Sequence, residues 1–228
     1  MLCIITARGG SKRIPRKNIK DFCGKPIIAY SIETAINSGL FSEVMVSTDD
    51  YEIADVAKTY GANVPFMRSS KNSDDFATTA DVLREVLGEY KKLGQEFKNF
   101  ACIYPTAPLI SAKRLNEAYN ILLSKNVSIV VPVVKFSFPP QRAFILKNQL
   151  LEYKEPENAP KRSQDLEPLY HDAGAFYFYD AKDFLNGENK GASALILSEL
   201  EVQDIDNIED WELAQIKFGI LNKLIKFT

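Results

Sequence analysis

The segment Ala7-Arg8-Gly9-Gly10-Ser11-Lys12-Arg13-Ile14-Pro15-Arg16-Lys17-Asn18 gathers positive charge around two glycines. From Arg8 to Lys25 there are seven Lys or Arg against the single acid Asp21, in a chain of formal net charge −2. Gly9 and Gly10 let the backbone come close to a ligand, and successive N–H groups can then converge on an anion. Arg8 supplies a planar fork suited to phosphate oxygens, whereas Lys12 and Lys17 are mobile point charges. The chemistry these types and spacings suit is the binding of a polyphosphate. Composition alone also allows a solvated basic loop.

A second constellation lies near the C-terminus, in Val202-Gln203-Asp204-Ile205-Asp206-Asn207. On an extended segment residues i and i+2 point to one side, so Asp204 and Asp206 can meet one hard cation. Asp206 or Asn207 could also cap the helix that follows, in which Trp211, Ala214, Ile216 and Phe218 supply apolar surface. His171 is the only histidine and no Cys-x-x-Cys occurs, which excludes a His/Cys zinc site. Gly24-Lys25 is followed by Pro26 where a Walker loop needs Ser or Thr, and the basic loop holds no Gly-x-Gly-x-x-Gly.

These groups must be carried by regular elements. Leu2-Cys3-Ile4-Ile5-Thr6 is short, apolar and β-branched, a buried strand delivering the basic loop at its tip, where open α/β sheets bind ligands. Pro26 opens an amphipathic helix, Val44–Thr48 is a second strand, and Asp49 or Asp50 either caps the next helix, to Tyr60, or faces a ligand. The pattern continues with a strand at Val64–Arg68, a helix from Thr79, a strand at Phe100–Tyr104 broken by Pro105-Thr106-Ala107-Pro108, a helix from Ser111 to Lys125 and a strand at Ser128–Val134. Alternation at this interval predicts an α/β fold: a mostly parallel twisted sheet with helices on both faces. We expect one domain over 1–228, with the alternation failing at about 136–165.

The loop Ala-Arg-Gly-Gly-Ser-Lys-x-Ile-Pro-x-Lys-Asn resembles the nucleotide-binding signature of the CMP-nonulosonate synthetases, cytidylyltransferases that activate sialic-acid-like sugars with CTP. The resemblance extends over nearly the whole chain and implies a Rossmann-like nucleotidyltransferase fold. It implies that Arg8, Gly9, Gly10, Ser11, Lys12, Lys17 and Asn18 contact the CTP triphosphate, with Arg8, Lys12 and Lys17 stabilising the departing pyrophosphate. It also implies that Arg68 contacts base or phosphate, although Ser69 stands where relatives commonly have Pro and the residue alone could be a surface arginine. By the same resemblance Asp204 and Asp206 hold Mg²⁺, and the 136–165 segment is a dimerisation extension that caps a second subunit's site. From the residues alone that segment could equally be a surface hairpin.

In the family, Pro-Thr-Ser-Pro-Leu preceded by Gln lies under the sugar; here Tyr104 stands at the Gln and Ala107 at the Ser, with Thr106 kept. An amide and a hydroxyl are therefore missing from the pocket, and hydrogen-bonding sites discriminate strongly on such groups. The sugar's carboxylate calls for a bidentate guanidinium, Arg162 or Arg142, and Gln164 can serve amide groups. Tyr170-His171-Asp172-Ala173-Gly174 again resembles the branch that activates pseudaminic acid, which implies that His171 and Asp172 are sugar-site residues, although a lone His could equally be a packed or surface group. Legionaminic or N-acetylneuraminic acid are alternative substrates; a sugar-phosphate nucleotidyltransferase and a nucleotide-sensing module without turnover are alternative functions.

The remaining features bound the setting. Cys3, Cys23 and Cys102 are odd in number, which argues against a disulfide framework and for a reducing compartment. The first apolar run is too short for a signal peptide and no run reaches the ~18 apolar residues of a membrane span, so we expect a cytoplasmic protein. A pI near 5.6 does not suit general nucleic-acid binding.

Overall fold

The computed structural model describes residues 1–224, so the last four residues of the expected domain lie outside the described residues. Five strands run in one direction: β1 (Leu2–Thr6), β4 (Glu43–Ser47), β5 (Asn99–Ile103), β6 (Ile129–Lys135) and β11 (Ala192–Leu197). Two run against them, β9 (Tyr170–Asp172) beside β6, and β10 (Phe176–Asp180) between β5 and β6. The order β11-β6-β10-β5-β1-β4 makes a mostly parallel sheet. Two short ladders stand apart from it, β2 (Asp21–Phe22) with β3 (Lys25–Pro26), and the hairpin β7 (Phe144–Lys147) with β8 (Leu150–Tyr153).

Period-two alternation sorts the central strands into two cores. Cys3, Ile5, Val44, Val46, Ala101 and Ile103 face one side, where they pack with Ile28 and Ile32 of α1 (Ile27–Asn37), Ile53 and Ala57 of α2 (Tyr51–Thr59), and Leu115, Ala118 and Leu122 of α4 (Ala112–Lys125). Leu2, Ile4, Met45, Phe100 and Cys102 face the other, against Leu83, Val86, Leu87 and Tyr90 of α3 (Thr79–Lys92) and Ala181 of α5 (Ala181–Asn186). Strands buried on both faces read as continuous apolar runs, as these do. Helix starts follow their caps: Asp50 accepts from the Ile53 amide, Ser111 from Arg114, and Thr78 with Asp81 forms a capping box.

A third apolar cluster positions the chemistry. Ile14, Phe22, Ile27, Ile205, Trp211 and Ala214 pack together, with Phe22 edge-on to Trp211 at 5.3 Å between ring centroids. Ile14 belongs to the basic loop, Ile205 lies between the two acids, and Trp211 belongs to α6 (Ile208–Leu221). Burying each of its isoleucine and phenylalanine side chains is worth about 1.5–3 kcal/mol. The cluster therefore holds two segments nearly two hundred residues apart in sequence against each other.

Two expected elements differ. Val64–Arg68 is not a strand: only Asn63 bridges to Met45, and Pro65, without an N–H, interrupts the ladder. The 136–165 segment forms the β7–β8 hairpin, flanked by single turns at Pro140–Arg142, Pro156–Asn158 and Ser163–Asp165. Both hairpin strands are exposed except at Tyr153, and Phe144, Leu146, Leu150 and Leu151 lie open.

Candidate active site

The basic loop leaves β1 at Thr6 and is fixed by five contacts. The Ala7 amide donates to the Ser47 carbonyl at 2.9 Å and the Gly9 amide to Asp49 Oδ1 at 2.8 Å. A Cβ on Gly9 would sit 2.8 Å from an Asp50 carboxylate oxygen, so any larger residue would push Asp50 out of its place. Arg16 adopts a left-handed backbone (φ 55°) and its guanidinium is held by Asp50 and Glu52. The buried Asn18 donates through its amide to the Arg8 carbonyl at 2.9 Å, tying the loop's end to its beginning.

A cleft of about 440 Å³ opens above this loop. Arg8, Gly10, Ser11, Lys12, Arg13, Lys17 and Asn18 line one wall, Arg68, Asp75 and Thr79 another, Tyr104, Pro105 and Thr106 the floor, and Asp206 the remaining side. Lys17 is half-buried; its ammonium donates to the Ile205 carbonyl at 2.6 Å. Desolvation pulls the Lys17 pKa down, and the charges of Asp206 and Asp204 oppose that pull only in part. Arg13 pairs with Asp206 at 2.7 Å. The basic loop and the Asp204-x-Asp206 segment thus share one cleft.

Arg68 is buried rather than on the surface, donating through Nε to Ser47 Oγ at 3.0 Å and through Nη2 to the Ser47 carbonyl at 2.5 Å. Burial lowers its pKa, offset by Asp49 and Glu85. Tyr104 packs edge-on against Tyr177 at 5.7 Å, and desolvation raises its phenol. The Tyr177 hydroxyl donates to the Asp172 carboxylate, 2.9 and 3.0 Å from its two oxygens.

Several expected residues do not line this cleft. Gly9 faces away, its amide committed to Asp49. Asp204 is exposed beside the cleft. Asp172 reaches Tyr104 only through Tyr177, and His171 packs on Phe136 at 4.9 Å. Arg162 is exposed and pairs with Asp165 at 2.8 Å; Gln164 shares its single turn, and Arg142 sits on the extension. Within one chain the extension's cations are therefore not brought to the cleft floor.

Sequence reasoning missed Asp75, Arg13 and Tyr177. Asp75 belongs to a polar loop with no motif of its own, and only the charge opposite it marks it out. Asp49 and Asp50 were legible as a cap or a ligand contact; Asp50 caps α2 and both hold the basic loop.

Among the described residues no three His, Cys, Asp or Glu side chains form a metal-binding group. Two carboxylates, one of them in a cleft able to hold phosphate oxygens, fit Mg²⁺, which is commonly held by one or two carboxylates plus substrate phosphates. The donor set does not suit a soft or fully protein-ligated metal.

The family profile described as cytidylyltransferase matches residues 2–217. A pseudaminic acid cytidylyltransferase of Campylobacter jejuni serotype O:2 is 44% identical over 224 residues, covering 96% of each chain. A CMP-N,N'-diacetyllegionaminic acid synthase of Legionella pneumophila is 33% identical over 229 residues, covering 94% of each. Among solved structures, a CMP:2-keto-3-deoxy-manno-octonic acid synthetase complexed with CTP aligns with TM-score 0.71 at 17% identity, over 97% of this chain and 98% of that one, a likeness of fold.

Proposed function

The chain belongs to the cytidylyltransferase family and is a nucleotidyltransferase, and from that premise we propose that it activates a nonulosonic acid, pseudaminic acid first, with CTP, giving the CMP-sugar and pyrophosphate. The observation that carries the proposal is that Lys17 and Asp206 line one cleft together with Arg8 and Lys12. That arrangement suits a phosphate chain laid between a cationic loop and a carboxylate wall. Tyr104 in place of an amide at the cleft floor, and the 44% identical relative, favour pseudaminic acid over other nonulosonates.

In this mechanism the sugar's anomeric hydroxyl attacks the α-phosphorus of CTP and gives its proton to solvent, while the bond from the α-phosphorus to the bridging oxygen breaks and that oxygen leaves with pyrophosphate. Such transfer is mostly positioning and charge neutralisation. Arg8, Lys12 and Lys17 orient the chain and neutralise the charge that grows on the leaving pyrophosphate, while the Gly10 amide and the Ser11 hydroxyl offer further donors. Arg68, anchored on Ser47, stiffens the wall toward the nucleoside. Asp206, with Asp204, would hold Mg²⁺, which supplies charge neutralisation at the phosphate oxygens.

The exposed apolar hairpin β7–β8 supports a homodimer in which each extension covers its partner's cleft, and through which Arg162 or Arg142 and Gln164 serve the sugar of the other subunit. Asp172, behind Tyr104 through Tyr177, then shapes the sugar pocket from below, and His171, packed on Phe136, serves it from the side of the extension. The three free thiols, two of them buried, suit a reducing, cytoplasmic setting, and no described helix is long and apolar enough to cross a membrane.

Pyrophosphate release measured with CTP and separate pseudaminic, legionaminic and N-acetylneuraminic acids, and with a sugar 1-phosphate, tests the reading. Release with pseudaminic acid foremost supports it. Release only with the sugar phosphate overturns it in favour of a sugar-phosphate nucleotidyltransferase, and CTP binding without release across the panel makes the chain a sensing module.

A further inference from the structure

Two cations of the basic wall, Arg8 and Lys12, are paired by the same carboxylate. Arg8 Nη1 lies 2.8 Å from Asp75 Oδ1, and the Lys12 ammonium pairs with Asp75 Oδ2. Arg8 donates as well to the Asp74 carbonyl at 3.1 Å. The turn that presents Asp75 is built for it: Asp74 Oδ1 accepts from the Phe76 and Ala77 amides at 2.9 and 2.8 Å. On one side Ser69 and Asn72 are tied to Glu85, and on the other Thr78 starts α3, so Asp75 sits on a short span between two anchors.

From this geometry we infer that Asp75 is an internal anion that competes with the phosphate chain for Arg8 and Lys12. The inference rests on the reading that this cleft takes a phosphate chain. A carboxylate accepts the same donors as a phosphate oxygen, and one guanidinium edge cannot hold both at full strength. A ligand whose phosphates reach Arg8 and Lys12 must displace Asp75, and its affinity is reduced by the fraction of molecules in which the carboxylate occupies those cations. The same competition returns Asp75 to the cradle as pyrophosphate departs and so promotes its release. A ligand that does not reach these two cations is indifferent to it. Asp75 thereby sets how tightly the polyphosphates are held relative to the product nucleotide.

The test is titration calorimetry of the full chain with inorganic pyrophosphate and with CMP, on the native protein, Asp75→Asn and Asp75→Glu, with thermal melts to verify folding. Asp75→Asn should bind pyrophosphate about three- to tenfold more tightly, the size expected for losing exposed ion pairs, with CMP affinity unchanged. Asp75→Glu, which keeps the charge, should stay near the native value. Equal or weaker pyrophosphate binding by Asp75→Asn overturns the inference, as does equal tightening for CMP. If neither native protein nor variant binds pyrophosphate or CTP, the phosphate cleft itself falls, and the inference with it.

Discussion

The Lys17 ammonium reaches across 2.6 Å to the carbonyl of Ile205, the residue between Asp204 and Asp206. One hydrogen bond thus joins the basic loop after the first strand to the acidic segment before the last helix. It is reinforced by Ile14 and Ile205, which are buried in one apolar cluster. A cation and a carboxylate that face the same cleft are placed by packing behind them.

Lys17→Ala is expected to lower turnover by about a hundredfold or more, the scale of losing one preorganised charge at a phosphate-transfer site. The Ile205 carbonyl loses its partner, at a cost of about 1–3 kcal/mol, which leaves the fold intact. Steady-state pyrophosphate release alongside a thermal melt checks both halves; near-native turnover would remove Lys17 from the chemistry.

Asp206→Asn keeps the shape of the side chain and removes its charge. The Mg²⁺ concentration needed for half-maximal pyrophosphate release should rise at least about tenfold. An unchanged magnesium titration would leave Asp206 only as the partner of Arg13, with which it pairs at 2.7 Å.

Much of this arrangement is written locally. Ile4 and Ile5 pack on opposite faces of a doubly covered sheet, so the strand reads as an unbroken apolar run, and Asn207 accepts from the Asp210 amide as an N-cap should. The basic loop's charge and the i, i+2 acids were equally visible, because neither depends on what folds over them. Asp75 and Tyr177 were not: each acquires meaning from a partner far away in sequence, Arg8 for one and Tyr104 for the other. The mistaken strand at Val64–Arg68 has a local cause, since apolar residues on either side of Pro65 imitate a strand whose ladder the proline interrupts.

The hairpin exposes Leu146 at 68% and Leu150 at 70%, more apolar surface than a free two-stranded ribbon usually carries in water. Sedimentation equilibrium at micromolar concentration should give twice the 25.7 kDa chain mass, and Leu146→Asp with Leu150→Asp should return it to one chain mass. Monomer alone in the native protein would remove the dimer and, with it, any role of Arg162 in a neighbouring cleft.

Glu201 ties the acidic segment to the body of the protein. Arg114 on α4 grips it from Nε at 2.7 Å and Nη2 at 2.9 Å, and the Ser198 amide donates to it at 2.9 Å. These donors favour the carboxylate and, against the opposing effect of burial, push its pKa down to about 2. Because the folded value lies below the unfolded one, the stabilisation is complete above the ordinary carboxylate range. It is lost as pH falls through that range toward about 2. Glu201→Gln should therefore cost on the order of 2–3 kcal/mol at pH 7. In urea unfolding of the two proteins from pH 7 to pH 3, the gap should hold at first and narrow below about pH 4.5. A gap independent of pH would mean that Glu201 contributes packing rather than charge, and that the acidic segment is held by α6 and the Ile205 cluster alone.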